Sequence, residues 1–170
     1  MTTFDLRSIS LRSGEQHREL VEVEVEPLVL AGQAYRPRPD PIPAELTVTR
    51  ASSGTVLELA FRVTLHGPCF RCLADADLHL DLRAREYQAA SPGADGELRT
   101  DYLADDRLDL SAWTRETIAL ELPDKILCRA ECAGLCPICG RNLNEEPHEH
   151  AEEVHDSRWA ALESLRDGPR

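Results

Sequence analysis

The chain has 170 residues and a formal net charge of −12, with 31 acidic side chains against 19 basic ones. That length suits one domain with extensions or two small ones. A surface this acidic disfavours sequence-independent binding to a phosphate backbone and points to a basic protein partner, or to a locally basic patch on an acidic body.

No apolar run is long enough to cross a bilayer, so no membrane partner is expected. The opening "MTTFDLRSIS" lacks the charged start and apolar stretch of a signal peptide. The expected location is therefore the cytoplasm, where thiols stay reduced. In "ELVEVEVEP", Val21, Val23 and Val25 alternate with Glu22, Glu24 and Glu26. "YRPRPDPIP" (35–43) holds four prolines and reads as a connector rather than a central strand. "ELTVT", "RASSGT" and "VLELAF" read as a hairpin with small turn residues. In its second arm Leu57, Leu59, Phe61, Val63 and Leu65 line one face. "ADLHLDLRAREY" alternates Leu78, Leu80 and Leu82 with polar residues. A period of two, with one wet and one apolar face, predicts an antiparallel sheet up to about Tyr87.

"ASPGADGE" (90–97) predicts a loop. "LDLSAWTRETIALELP" spaces Leu110, Trp113 and Ile118 as a helix does, and Pro123 can close it, although "TIALELP" also alternates like a strand. Glu145–Asp156 is rich in acid and histidine, and is expected to order only if a metal pins it. "DSRWAALESLR" starts with a capping Asp156 or Ser157 and repeats Trp159, Leu162 and Leu165, a short terminal helix. The expected class is α+β: an antiparallel sheet or partly closed barrel, then one or two helices and a zinc-bound C-terminal segment. The expected division is 1–125, a β-rich domain with its following helix, and 126–170, the metal-binding segment with the terminal helix.

Six cysteines in a reducing compartment read as metal ligands or catalytic thiols before disulfides. Two Cys-x2-Cys units occur: "GPCFRCL" with Cys69 and Cys72, directly after the longest strand pattern, and "GLCPICG" with Cys136 and Cys139 between Gly134 and Gly140. Each can grip one metal from a tight turn, and neither fills a tetrahedral zinc site alone. Cys128, Cys132, His148 and His150 complete eight potential ligands, enough for two closed sites. Three partitions fit the spacing. Cys69 and Cys72 can join Cys128 and Cys132, leaving Cys136, Cys139, His148 and His150. The four C-terminal cysteines can form one cluster. The two Cys-x2-Cys units can pair with each other. A redox pair fits less well, because that motif normally opens a helix in a βαβ unit. His148 and His150 have a bland alternative as solvated residues of an acidic tail. His17, His66, His79 and His155 are assigned no role. No phosphate-cradling loop, nucleophile elbow or His-Glu-x2-His motif is present, so neither a catalytic residue nor a small-molecule substrate is expected.

The β-rich first half, "CFRC", "ALELP" (119–123) and "LCRAECAGLCPICGRNLN" (127–144) resemble the YceD family, the large ribosomal RNA subunit accumulation proteins. The resemblance covers about Phe4 to Leu165. It implies a role in supplying large-subunit ribosomal RNA, and no enzymatic activity. Some members keep the first pair and equivalents of Cys128 and Cys132 without "GLCPICG", which favours the first partition. Many place cysteines where this chain has His148 and His150, a change that keeps ligand chemistry. The expectation is a non-enzymatic zinc-binding factor whose partner is a ribosomal protein or ribosomal RNA of the large subunit, with charge favouring a basic protein. A zinc- or thiol-dependent enzyme acting on RNA or nucleotides is the competing expectation.

Overall fold

A computed structural model of the chain describes residues 1–91 and 98–150. The chain divides into two compact units, Met1–Cys132 and Ala133–Arg170.

In the first unit the strands are β1 (Thr3–Asp5), β2 (Gln16–Val23), β3 (Leu28–Leu30), β4 (Gln33–Arg38), β5 (Ile42–Arg50), β6 (Gly54–Pro68), β7 (Asp75–Ala89), β8 (Leu103–Ala104) and β9 (Arg107–Asp109). One helix follows, α1 (Leu110–Leu120). The main sheet is antiparallel throughout and centres on β6. β7 runs along one edge of β6 for its full length, and β5 and β4 share the other edge. β2 extends β5, and β3 extends β4. Among the described residues no strand joins β2 to β7, so the sheet is open. The barrel alternative is thus corrected: β5 and β4 occupy successive lengths of the same edge of β6, which widens the sheet without curling its ends together.

The alternation has the expected consequence. Leu57, Leu59, Phe61, Val63 and Leu65 are buried, as are Ala44, Leu46 and Val48 on β5. Each large apolar side chain so buried contributes about 1.5–3 kcal/mol relative to exposure. α1 packs against β7, β1 and β2 and buries Leu110, Trp113 and Ile118. Its first turn is capped by Asp109, whose carboxylate accepts the Ala112 N–H at 2.9 Å. The alternating "TIALELP" is helical through Leu120, because Ile118 is needed on the buried stripe.

Two further features differ from expectation. The proline-rich stretch is not one connector. Pro37 lies in β4 opposite Leu65, and Pro43 lies in β5 opposite Glu22. Each sits where its strand is paired on one side only, so the missing N–H breaks no ladder. Only the residues between Arg38 and Ile42 turn the chain, through cis peptides before Pro39 and Pro41. The N-terminus also forms a second, three-stranded sheet, β1–β9–β8, which joins the chain's first residues to the start of α1. Its strands are too short to show a period. Most of the "ASPGADGE" loop (92–97) and the terminal helix expected after Asp156 or Ser157 lie outside the described residues.

In the second unit the described part, 133–150, has no regular strand or helix. A single bridge between Leu135 and Asn142 closes a small loop. The Leu143 N–H donates to the Gly134 carbonyl at 2.9 Å, and the Asn144 side chain accepts the Ala133 N–H at 2.8 Å.

Candidate metal centres

β6 ends at Pro68 and delivers Cys69 into a tight turn. The Cys69 N–H donates to the Ala74 carbonyl at 2.7 Å, and the Leu73 N–H donates to the Cys69 carbonyl at 3.0 Å. Leu73 takes the left-handed conformation, φ 61°. Just upstream, a side chain at Gly67 would place its Cβ 2.5 Å from the buried Tyr35 ring. Glycine there lets β4 close on β6. The Tyr35 hydroxyl then donates to the Pro68 carbonyl at 2.8 Å, fixing the root of the turn.

The other half of this centre follows α1. The Phe70 N–H donates to the Ile126 carbonyl at 2.8 Å, and Arg71 donates to the Cys132 carbonyl at 2.7 Å. Lys125 lies 5.2 Å above the Phe70 ring. These ties place Cys128 and Cys132 against the first pair. The Cys69 and Cys132 sulfurs are 3.8 Å apart, the Cys72 and Cys128 sulfurs 3.6 Å, and all four lie within 4.8 Å of one another. A disulfide needs about 2.05 Å, so these are thiols. A tetrahedral site with metal–sulfur bonds of about 2.3 Å has sulfur–sulfur edges of about 3.8 Å, which the two close pairs match.

Electrostatics within the cluster are uneven. Burial pushes the Cys69 thiol up, but the N–H groups of Cys72, Cys128 and Arg71 outweigh it and bring the thiol down to about 6. Cys128 is pushed up to about 12, by desolvation first and then by its three sulfur neighbours. One thiolate is therefore easily formed and the next is opposed by it. A divalent cation held by these four sulfurs would remove that opposition.

The second cluster repeats the turn. The Cys136 N–H donates to the Arg141 carbonyl at 2.8 Å, and the Gly140 N–H donates to the Cys136 carbonyl at 2.8 Å. Gly140 takes the left-handed position, φ 72°, that Leu73 holds in the first turn. His148 approaches with Nε2 3.1 Å from the Cys139 sulfur, while its Nδ1 lies 2.7 Å from the Glu146 carbonyl. That second contact assigns the ring proton to Nδ1 and leaves the Nε2 lone pair facing the sulfurs, the orientation a metal ligand requires. His150 packs edge-on to His148 at 4.9 Å. Cys136, Cys139, His148 and His150 present ligand atoms within 4.8 Å of one another.

The eight candidate residues thus fall into two groups of four, the grouping of the first partition. The remaining described histidines pair on the sheet surface: His66 with Asp77, His79 with Thr64 and His17 with Glu19, each within 3.0 Å. Sequence reasoning missed Arg71 as the clamp on Cys132, the Ile126 carbonyl as anchor of Phe70, and the Glu146 carbonyl as orienter of His148. The arginine inside "CFRC" was the one visible signal. Backbone carbonyls leave none.

A family model described as large ribosomal RNA subunit accumulation protein YceD matches residues 57–166, a span holding both clusters. The chain belongs to the YceD family. It is 31% identical over 122 residues to an uncharacterized protein of Mycobacterium tuberculosis, a match covering 69% of this chain and 58% of that protein. An uncharacterized protein of Mycobacterium leprae is 27% identical over 129 residues, covering 74% of this chain and 59% of the other. The chain therefore spans less than two thirds of the length of these relatives. No solved structure matches it.

Proposed function

We propose that the protein is a non-enzymatic, cytoplasmic zinc-binding factor that supports accumulation of the large ribosomal subunit and its RNA. The observation carrying this reading is that each cluster supplies four protein ligands to one point. Four protein ligands close a zinc centre, whereas catalytic zinc keeps an open position for water. Thiolate-rich sets favour zinc among the common divalent ions. The ribosomal role comes from the family description, and the net charge of −12 makes a basic large-subunit protein the favoured partner over bare RNA.

Two measurements test this together. X-ray absorption on the purified protein should give two zinc ions per chain, one in a four-sulfur shell and one in a two-sulfur, two-nitrogen shell. Depletion in cells should lower large-subunit ribosomal RNA relative to small-subunit RNA. A zinc shell of three protein atoms and one water, together with RNA or nucleotide turnover by the pure protein, would replace the factor with an enzyme.

A further inference from the structure

The long strand β7 is bonded to β6 on one side only. In an antiparallel pair every second residue turns both its N–H and its C=O away from the partner. Among the described residues these outward groups meet other backbone only at the C-terminal end, where the Ala89 N–H donates to the Leu98 carbonyl at 2.8 Å. Further back, the free edge faces α1 across an open groove of about 460 Å³, lined by strand residues 81–86 and by Trp113, Thr117, Leu120 and Glu121. Leu120 is 78% exposed there. An edge strand of this length with an apolar side chain beside it is a template for another strand unless something covers it.

The lining is mixed in charge, with Arg83 and Arg85 on the strand, and its acidic groups gather on the side of α1. Tyr102, stacked on Trp113, forms part of its wall. Its hydroxyl is held well above the ordinary tyrosine range by burial, then by Glu116, Glu86 and Asp101. Glu121 adds a further carboxylate at the rim. No arginine or lysine pairs with Glu86, Glu116 or Glu121 among the described residues. The opposite face of the same strand carries Arg83 and Arg85, the latter paired with Glu58 at 3.8 Å. The two sides of the edge therefore ask for different side chains.

We propose that the groove between β7 and α1 docks an extended, basic segment of a partner protein by strand addition. The segment's backbone continues the β7 ladder. Alternate side chains project toward α1, where lysines or arginines meet Glu86 and Glu121 and an apolar residue covers Leu120. The intervening side chains lie beside Arg83 and Arg85 and are uncharged or acidic. Main-chain bonding supplies affinity and the alternating pockets supply selectivity. In its choice of partner this inference rests on the proposed ribosomal role, and it specifies a protein tail rather than RNA as the ligand.

The test is fluorescence polarisation of the full-length protein with a labelled eight-residue peptide of alternating lysine and valine. Binding should weaken at least 10-fold when every peptide amide is N-methylated, which keeps the charge and removes the ladder. It should weaken at least 10-fold in a Glu86→Lys, Glu121→Lys variant that melts as the parent does. Binding should stay within about twofold in a Glu22→Lys, Glu26→Lys variant, which reverses acids elsewhere on the surface. Equal binding by the methylated peptide, or equal losses in the two variants, would overturn the proposal in favour of diffuse attraction. A concentration-dependent dimer abolished by Leu120→Lys, with no peptide binding, would overturn it in favour of a second copy of this chain. Loss of large-subunit RNA on depletion is read separately, so a silent peptide and an absent ribosomal role cannot be confused.

Discussion

In the first cluster Cys72 meets Cys128 across 56 positions of sequence and Cys69 meets Cys132 across 63; in the second, Cys139 meets His148 across 9. Both start from the same hydrogen-bonded turn. The first turn is the end of the central strand, held by Tyr35 and Ile126, and Cys69 and Cys132 are almost wholly buried. The second turn is held by its own loop, and Cys139 and His150 are exposed. One kind of ligand set thus stands in two settings: where two distant stretches of the first unit meet, and within a short segment that has little apolar surface of its own.

The largest expected effect breaks this comparison if it fails. Cys69→Ser should remove zinc from the first centre and destabilise the first unit by several kcal/mol. A covalent link closing a loop of this length is worth about 4 kcal/mol in the loop-entropy account, and metal binding free energy counts directly as folding free energy. Cys139→Ser should lose the second zinc and leave the main thermal transition within about 1 °C. Zinc content and calorimetry of both variants check it. A comparable fall in melting temperature for Cys139→Ser would show that the second cluster also supports the main fold.

Acidification sharpens the comparison next. His148 lies above its ordinary value, raised first by the Glu146 carbonyl and then by the Cys136 sulfur. Cys136 is lowered to about 6, chiefly by the Cys139 N–H. Without metal, an imidazolium faces a thiolate in a bounded window. The thiolate's contribution is lost as pH falls through about 6. The imidazolium's contribution is lost as pH rises through the raised histidine value. A metal inverts the preference at histidine, because only neutral imidazole ligates. The zinc affinity of the second cluster should therefore begin to fall above the usual histidine range of about 6.5 as pH falls, with release following at lower pH. The first cluster, with no histidine and three buried sulfurs, should hold its zinc to lower pH. A zinc-indicator titration should show two steps, with the earlier one missing in His148→Ala. A single step that His148→Ala leaves unchanged would remove the histidine from the ligand set.

What the sequence made legible follows from where its signals are local. Alternation in β6 and β7 is a period of two carried over 15 residues each, so the sheet could be read directly. The Cys-x2-Cys spacing likewise marked both turns. The pairing of distant ligands was not legible from spacing, because all three partitions satisfy it; only chain topology brings residue 69 beside residue 132. Prolines misled for a related reason. Pro37 and Pro43 break a strand only if both its edges are paired, and the number of neighbours is a tertiary fact. β1, β8 and β9 have 2 or 3 residues each and carry no pattern to read.

The smallest expected effect lies in the two turns themselves. Position Leu73 and position Gly140 are equivalent, each donating its N–H to the first cysteine's carbonyl from the left-handed region. A residue with a Cβ there costs about 1–2 kcal/mol relative to its preferred conformation, and glycine costs almost nothing. Nothing lies within 4 Å of a Cβ built on Gly140, so Gly140→Ala meets only this backbone term. It should weaken zinc retention at the second cluster by roughly 5–30-fold, the equivalent of about 1–2 kcal/mol. The first turn already carries the same term, and the burial of its cluster offsets it. Leu73 is 57% exposed, so Leu73→Gly loses little packing and relieves the strain, while its gain in unfolded-chain entropy opposes the benefit. Its net effect should lie within about 1 kcal/mol of zero. Competition with a zinc chelator on both variants reads the pair. If Gly140→Ala leaves retention unchanged while Leu73→Gly strengthens it markedly, the two turns are not equivalent, and the local cluster tolerates a backbone shift that the domain-closing one does not.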